Sequence, residues 1–189
     1  SLRFASDALK NDREIMLEAV KSDGTSLYYS AADSPLRNDR ELVLEAVKNR
    51  GYALEYVSDA LSHDREITLA AVESIGPALR YAYEPFKNDR EIVLAAVGQH
   101  GEALEYASDA LKSDHEIALK AVENDEYALK FVSKLLKHNR VFIKKVVQIN
   151  GTLLSEVPVG FRKDREIVLE AIKKFPFALL SASDTLKND

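Results

Sequence analysis

The chain has 189 residues, of which 46% are hydrophobic and 30% are charged, and its net charge is −5. This composition is typical of a folded protein with a continuous core, and it excludes a disordered chain. The absence of cysteine excludes disulfides, thiolate metal sites and a cysteine nucleophile, and the acidic balance does not favour general binding of nucleic acid.

No uncharged apolar stretch approaches the roughly 18 residues that a membrane helix needs. The sequence therefore predicts no transmembrane segment, and we expect a soluble chain, with an intracellular location slightly favoured. The sequence begins at Ser1 in the middle of a motif, so we expect it to be a piece of a longer protein.

A 25-residue unit repeats along the whole chain. Each unit begins with Asp-Arg-Glu or a close variant, and the first interval is 27 residues whereas the later ones are 25. The unit starts are Asp12, Asp39, Asp64, Asp89, Asp114, Asn139 and Asp164. We interpret residues 1–189 as a single repeat domain of seven units, with half-repeats at both ends, the last beginning at Asp189.

Each unit reads as two short helices, and the unit that begins at Asp89 is representative. The pattern predicts a first helix over about 89–98 and a second over about 102–108. Asn88 or Asp89 is expected to cap the first helix, with Glu91 at the capping-box distance from Asn88. The glycine that follows the first helix, Gly101 in this unit, is expected to end it in a left-handed conformation.

Helices this short are marginal in isolation, so they must bury apolar faces against neighbours. In the unit at Asp89, the apolar positions cover more than one stripe of the first helix, so we expect that helix to be covered from two directions. These positions are Ile92, Val93, Leu94, Ala96 and Val97. The predicted fold is all-α: an α-solenoid, a superhelical array of seven 25-residue helix-pair repeats.

The stretches "NDREIVLAAV", "GYALEYVSDALSHDREI" and "GEALEYASDALKSD" resemble a tandem-repeat family of unknown function. Its members occur in many copies in large proteins of protists, algae and intracellular bacteria. The resemblance covers essentially the whole chain. It implies an all-helical array, and it brings no catalytic residue, cofactor or substrate.

Two side-chain ladders recur along the units. An arginine follows the first Asp in every unit except the fifth, where His115 stands in its place. We favour pairing of each arginine with acids of its own or the adjacent unit over an anion clamp. The second ladder is aromatic, and for it we favour packing between units over base stacking. Its members are Phe4, Tyr29, Tyr56, Tyr81, Tyr106 and Phe131.

The units differ most at two positions of the second helix, of which one follows the glycine and the other lies three residues later. They also differ on the outer face of the first helix, which runs from Glu14, Glu18 and Lys21 in the first unit to Glu91, Ala95 and Gly98 in the fourth. A recognition surface is expected on these positions. Four of these residues are candidates for binding a partner: Tyr52, Arg80, Glu105 and Tyr127.

Charge is distributed unevenly. Residues 1–113 carry 13 Lys and Arg against 20 Asp and Glu, a net of −7, whereas residues 127–163 carry eight against one, a net of +7. The sixth unit also has Lys144 where the others have a leucine that we expect in the core. A basic island of this kind can bind an acidic protein, a nucleic acid or an anionic lipid, or it can be a solvated face of a diverged unit. Its candidate binding residues are Lys130, Lys134, Lys137, Arg140, Lys144 and Lys145.

No catalytic, cofactor or metal site is predicted, because the four histidines are scattered and no nucleophile or phosphate-binding motif occurs. The predicted function is a non-enzymatic protein–protein interaction scaffold, or a recognition arm of a larger protein. Two alternatives stay open: a binder of nucleic acid or other anionic partners through the basic island, and a passive spacer.

Overall fold

The computed structural model describes residues 2–187 and confirms the all-α solenoid. We number the units that begin at Asp12 through Asp164 as repeats 1 to 7. Each contains three helical segments in chain order, called helices A, B and C. Helix A is a ten-residue α-helix in each repeat, spanning Arg13–Ser22, Arg40–Asn49, Arg65–Ser74, Arg90–Gln99, His115–Asn124, Arg140–Ile149 and Arg165–Lys174.

Helix B is the predicted second helix and has 3₁₀ geometry; in repeat 4 it spans Gly101–Tyr106, so it ends two residues before the predicted bound of about 108. The B helices are Gly24–Tyr29, Gly51–Tyr56, Gly76–Tyr81, Gly101–Tyr106, Glu126–Phe131, Gly151–Ser155 and Pro176–Ser181. Helix C is a short turn that the sequence pattern did not reveal. The C helices are Pro35–Asn38, Asp59–Ser62, Glu84–Asn88, Leu111–Ser113, Lys134–Lys137, Phe161–Lys163 and Asp184–Lys187. Leu2–Phe4 and Asp7–Lys10 correspond to helices B and C of a preceding unit, and the half-repeat expected from Asp189 lies outside the described residues.

Helix A begins at an aspartate cap in six of the seven repeats. In repeat 4, Asp89 Oδ1 accepts hydrogen bonds from the backbone N–H groups of Glu91 and Ile92 at 3.0 and 3.2 Å. The predicted capping box is wrong, because Asn88 lies one residue before the cap. Its side-chain oxygen instead accepts a hydrogen bond, 2.6 Å long, from Ser108 Oγ, which lies between helices B and C of repeat 4. Asn139 takes the capping role in repeat 6.

The repeats stack in two layers. Helix A packs against helix A of the next repeat. It is covered on a second side by its own helix B and, except in repeat 6, by helix B of the preceding repeat. In repeat 4, four of the five apolar residues named for helix A are fully buried and Leu94 is half-buried, which confirms the two-sided coverage. Within residues 2–187, no helix combines the length and the apolar character needed to cross a membrane.

The predicted left-handed glycine stop is wrong, because no glycine among residues 2–187 has a positive φ. The glycine that opens helix B is required by close packing instead. A Cβ built on Gly101 would lie under 3.0 Å from the carbonyl oxygen of Ala121, which belongs to helix A of the next repeat. The same approach joins Gly24 to Ala46, Gly51 to Ala71, Gly76 to Ala96 and Gly151 to Ala171.

Candidate interaction surface

The arginine ladder is used to join repeats. Arg65 donates from Nε and Nη2 to Asp89 of the next repeat at 2.8 and 3.1 Å, and from Nη2 to Glu91 at 2.6 Å. The hydrogen bond from Arg65 is the largest cause of the lowered pKa of Asp89. Equivalent pairs connect Arg13 to Asp39 and Glu41, Arg40 to Asp64 and Glu66, Arg90 to Asp114 and Glu116, and Arg140 to Asp164 and Glu166. Pairing with the adjacent repeat is therefore confirmed for these five arginines.

The aromatic ladder is packed between repeats. Tyr56, Tyr81, Tyr106 and Phe131 are half-buried against the core, which confirms the packing interpretation for these four. Burial raises the pKa of the Tyr56 and Tyr106 hydroxyls. Phe4 departs from the pattern, because it is exposed at the start of the described chain.

The two variable positions lie on the outer side of helix B, except in repeat 3, where Pro77 is buried. Tyr52 is 37% exposed and Tyr127 is 71% exposed, and Arg80 and Glu105 are exposed as well. Successive B helices pack side by side except those of repeats 5 and 6, so these positions line up along repeats 1 to 5. The structure thus places all four predicted residues on one structural element, and we call their positions the helix-B row.

Members of the helix-B row also contact the aromatic ladder. The Tyr28 ring meets the Tyr56 ring edge-on with centroids 5.3 Å apart, and the Tyr52 ring meets Tyr81 at 6.3 Å. The Arg80 guanidinium lies 5.6 Å from the Tyr81 ring centroid. Tyrosine side chains held in this way offer contact area with little loss of rotamer entropy on binding.

The basic island is divided by its contacts. Arg140 bonds to Asp164 and Glu166, and Lys144 Nζ donates to Glu166 Oε1 at 2.5 Å, so both face repeat 7 and its acids. The expected core position of Lys144 is also corrected, because its equivalents, such as Leu94, are half-buried at the edge of helix A.

The other four residues of the basic island lie elsewhere. Lys130, Lys134 and Lys145 are exposed, whereas Lys137 is half-buried. Lys137 Nζ donates to the Lys130 carbonyl at 2.7 Å, and desolvation lowers the pKa of its ammonium group. Lys130 Nζ lies 4.5 Å from the Phe131 ring centroid.

The joint between repeats 5 and 6 lacks the contacts that the other joints share. His115 replaces the bridging arginine, and its two acceptors are replaced by Asn139 and Val141. Glu126 replaces the close-packed glycine, and the alanine that would face it is Val146. All five substitutions therefore fall on the two sides of one joint.

The changed contacts open this joint on its helix-B side. Helix B of repeat 5 lacks the close packing on helices A and B of the next repeat that the B helices of repeats 1 to 4 and 6 have, while helix A of repeat 5 still packs on helix A of repeat 6. The opening is a cleft of about 520 Å³. Its lining residues are Glu126, Tyr127, Leu129, Lys130, Lys137, Thr152, Leu153, Ser155 and Glu156.

Sequence reasoning named Tyr127, Lys130 and Lys137 but missed the rest of this cleft. The signal was present in Glu126, which interrupts a column of glycines, and in Val146, which interrupts a column of alanines. Only the structure shows that these two columns meet across a joint. Among residues 2–187, no group of three His, Asp or Glu side chains is placed to hold a metal ion.

A family model described as "Domain of unknown function (DUF4116)" matches residues 1–31, 31–62, 64–112, 114–162 and 164–189. The chain belongs to this family. The matches that start at 64, 114 and 164 begin on the aspartates that cap helix A of repeats 3, 5 and 7, and the two longest each span two repeats. Membership confirms the resemblance seen in the sequence, and the family description assigns no activity. Searches among curated proteins and among solved structures gave no match.

Proposed function

We propose that this protein is a non-enzymatic scaffold that binds a partner protein along the helix-B row. One observation carries the proposal: the side chains that join repeats are nearly constant, whereas the exposed side chains of helix B differ from repeat to repeat. Constant joints build a frame, and variable exposed positions on that frame supply the contacts that distinguish one partner from another.

The composition of the row supports a protein partner. Tyrosine and arginine are enriched at the energetic centres of protein interfaces, and the row contains Tyr28, Tyr52, Arg80 and Tyr127. The row also contains Glu55, Glu102 and Glu105, which would repel a nucleic-acid backbone. Because the frame is folded before binding, little ordering entropy is lost when the partner docks.

Site-specific photo-cross-linking tests the proposal. A photoreactive amino acid is placed at Tyr52 or Glu105 on the helix-B row, and at Glu73 on the exposed end of helix A as a matched control. The same partner should cross-link from positions 52 and 105 and not from 73. Cross-links that are equal at all three positions, or absent from all three, would contradict the proposal, and complete absence is what a passive spacer predicts.

A second candidate function, binding of an anionic polymer or lipid, has support from the exposed Lys130, Lys134 and Lys145. Against it, Arg140 and Lys144 are engaged by the acids of repeat 7. If this function is the correct one, affinity for an oligonucleotide or an anionic vesicle falls steeply with added salt. It also falls when Lys134 and Lys145 are both changed to Glu.

A further inference from the structure

We propose that the cleft between repeats 5 and 6 binds a carboxylate-bearing side chain of an acidic peptide segment, with Lys137 as its ion-pair partner. This inference rests on the proposed function, because it names the chemistry of one segment of a protein partner. It concerns a different part of the surface from Tyr52 and Glu105, so the two can fail separately.

The cleft results from paired changes on the two sides of the joint. Glu126 alone would bring a Cβ against a backbone carbonyl of the next repeat, as the glycines of the other joints show. Val146 alone would place a larger side chain in the position of a fully buried alanine. Both changes occur at the joint in which the bridging arginine and its two acidic acceptors are also replaced. Because the arginine and both of its acidic acceptors are replaced at this joint, neither side keeps a charged group whose partner is missing.

Charged and polar side chains line the cleft. Lys137 Nζ uses one of its three N–H groups on the Lys130 carbonyl, which leaves two for a ligand. The lining also has two acids: Glu126 accepts from Asn150 Nδ2, and Glu156 lies 3.2 Å from Ser155 Oγ, whose single proton has a shorter path, 3.0 Å, to the Thr152 carbonyl. Among the charged side chains of the lining, Lys130 and Lys137 are the donors that a carboxylate can reach, and the Tyr127 hydroxyl is an uncharged donor beside them.

The charge and the apolar lining around the cleft favour an acidic peptide over a nucleic acid as the ligand. Residues 127–163 carry a net charge of +7, which attracts an acidic chain. A nucleic acid needs a continuous basic track along its backbone, and here the track is interrupted by the engagement of Arg140 and Lys144 with repeat 7. The floor formed by Leu129 and Leu153 suits the apolar stem of an inserted side chain. A volume of about 520 Å³ lies within the range of roughly 300–1,000 Å³ of sites that enclose a small ligand group.

Binding of three labelled probes, followed by fluorescence anisotropy, tests the assignment. The probes are an octapeptide that alternates Glu and Ala, the same peptide with Gln in place of Glu, and a single-stranded oligonucleotide of equal charge. A charge-assisted contact in a half-buried cleft corresponds to about a tenfold preference for the Glu peptide over the Gln peptide. Equal binding of the two peptides, or tighter binding of the oligonucleotide, overturns the proposal.

A variant with a restored joint gives the sharpest control. His115→Arg, Glu126→Gly, Asn139→Asp, Val141→Glu and Val146→Ala together rebuild the contacts of the other joints. The formal charge is unchanged, since the two added acids balance the added arginine and the lost Glu126. The Glu peptide should bind this variant about tenfold more weakly, or not measurably, although Lys130 and Lys137 are both present. Undiminished binding would show that the cleft is not the site.

Two single substitutions distinguish Lys137 from charge in general. Lys137→Met should weaken binding of the Glu peptide by about tenfold, and Lys137→Arg should retain most of it. Lys112→Met, at the equivalent position of helix C in repeat 4, removes the same charge beside a closed joint and should leave binding unchanged. Equal losses from the position-112 and position-137 substitutions overturn the proposal. If the peptide does not bind while cross-links from position 52 persist, this inference fails and the proposed function stands.

Discussion

Two glycines that lie three residues apart in repeat 4 should respond in opposite ways to the same substitution. Gly98 lies within helix A, and a Cβ built there has no atom within 4 Å. Gly101 opens helix B, and a Cβ built there would lie 2.9 Å from Asp125 Cβ and closer still to the Ala121 carbonyl oxygen. Gly101→Ala must therefore move the backbone of repeat 5 away from that of repeat 4, whereas Gly98→Ala needs no movement.

The magnitudes follow from these surroundings. Overpacking a filled joint costs about 1–3 kcal/mol. Separation of the repeats also weakens the hydrogen bond from Gly101 N to Asn124 Oδ1, 3.0 Å long, which contributes about 1 kcal/mol. We expect Gly101→Ala to lower the free energy of unfolding by about 3 kcal/mol, and Gly98→Ala to raise it by about 1 kcal/mol through helix propensity.

Urea denaturation of the full chain, followed by far-UV circular dichroism, measures both effects. Because repeats couple mainly to their neighbours, amide hydrogen exchange should accompany it to locate the loss. For Gly101→Ala, protection should fall most in helix A of repeats 4 and 5. If the two alanine variants have equal stability, the close approach of glycine and carbonyl does not determine how the repeats fit together.

Three further substitutions have defined outcomes. Thr68 Oγ1 is fully buried and has no hydrogen-bond partner among the described residues, so Thr68→Val should raise the free energy of unfolding by about 1 kcal/mol in urea titrations; a loss of stability would show that the hydroxyl is hydrogen-bonded. Asn124 joins two repeats, donating to the Gly98 carbonyl at 2.9 Å and accepting from Gly101 N, so Asn124→Ala should cost about 1–2 kcal/mol, and a neutral result would refute that bridging role. The pKa of Asp89 and that of Asp164 are lowered, mainly by the hydrogen bonds from Arg65 and Arg140. A carboxylate with a lowered folded pKa stabilises above its unfolded pKa, about 3.9, and that stabilisation is lost as pH falls through the folded value, so unfolding free energy should decline below about pH 4. Asp89→Asn keeps a capping oxygen and should flatten this decline; an unchanged pH profile would contradict the role of the pair.

The sequence was sufficient for the architecture and for most of the joint chemistry. The spacing of Asp64, Asp89 and Asp114 predicts the period of the array, and equal numbers of arginines and nearby acids predict pairing of each arginine with acids of its own or the adjacent repeat. Both follow from local patterns that recur many times, so a single diverged repeat does not obscure them.

The sequence was insufficient where the partner of a residue lies one repeat away in an unknown register. A conserved glycine after a helix is usually a left-handed stop, and only the structure shows that Gly101 faces the Ala121 carbonyl instead. For the same reason, Glu126 and Val146 read as unrelated deviations in two repeats, although they lie on the two sides of one joint. The 3₁₀ geometry of helix B was also missed, because a six-residue segment has too few turns to distinguish its period from that of an α-helix.

The repeats are interchangeable modules except at the joint between repeats 5 and 6. Two deletions of equal length test this claim most directly. Removing residues 64–88 deletes repeat 3 and brings Arg40 to Asp89 and Glu91, and Gly51 to the Ala96 carbonyl, so every joint type is kept. Removing residues 139–163 deletes repeat 6 and sets His115 against Asp164, and Glu126 against the Ala171 carbonyl.

Amide hydrogen exchange over helix A of repeat 7, Arg165–Lys174, is the measurement. Protection there should match that of the full chain after the first deletion and should be largely lost after the second, because the mismatched joint cannot close over repeat 7. Equal protection of this helix in the two deletion variants would contradict the account, since it would mean that the identity of the joint residues does not determine which repeats can stack.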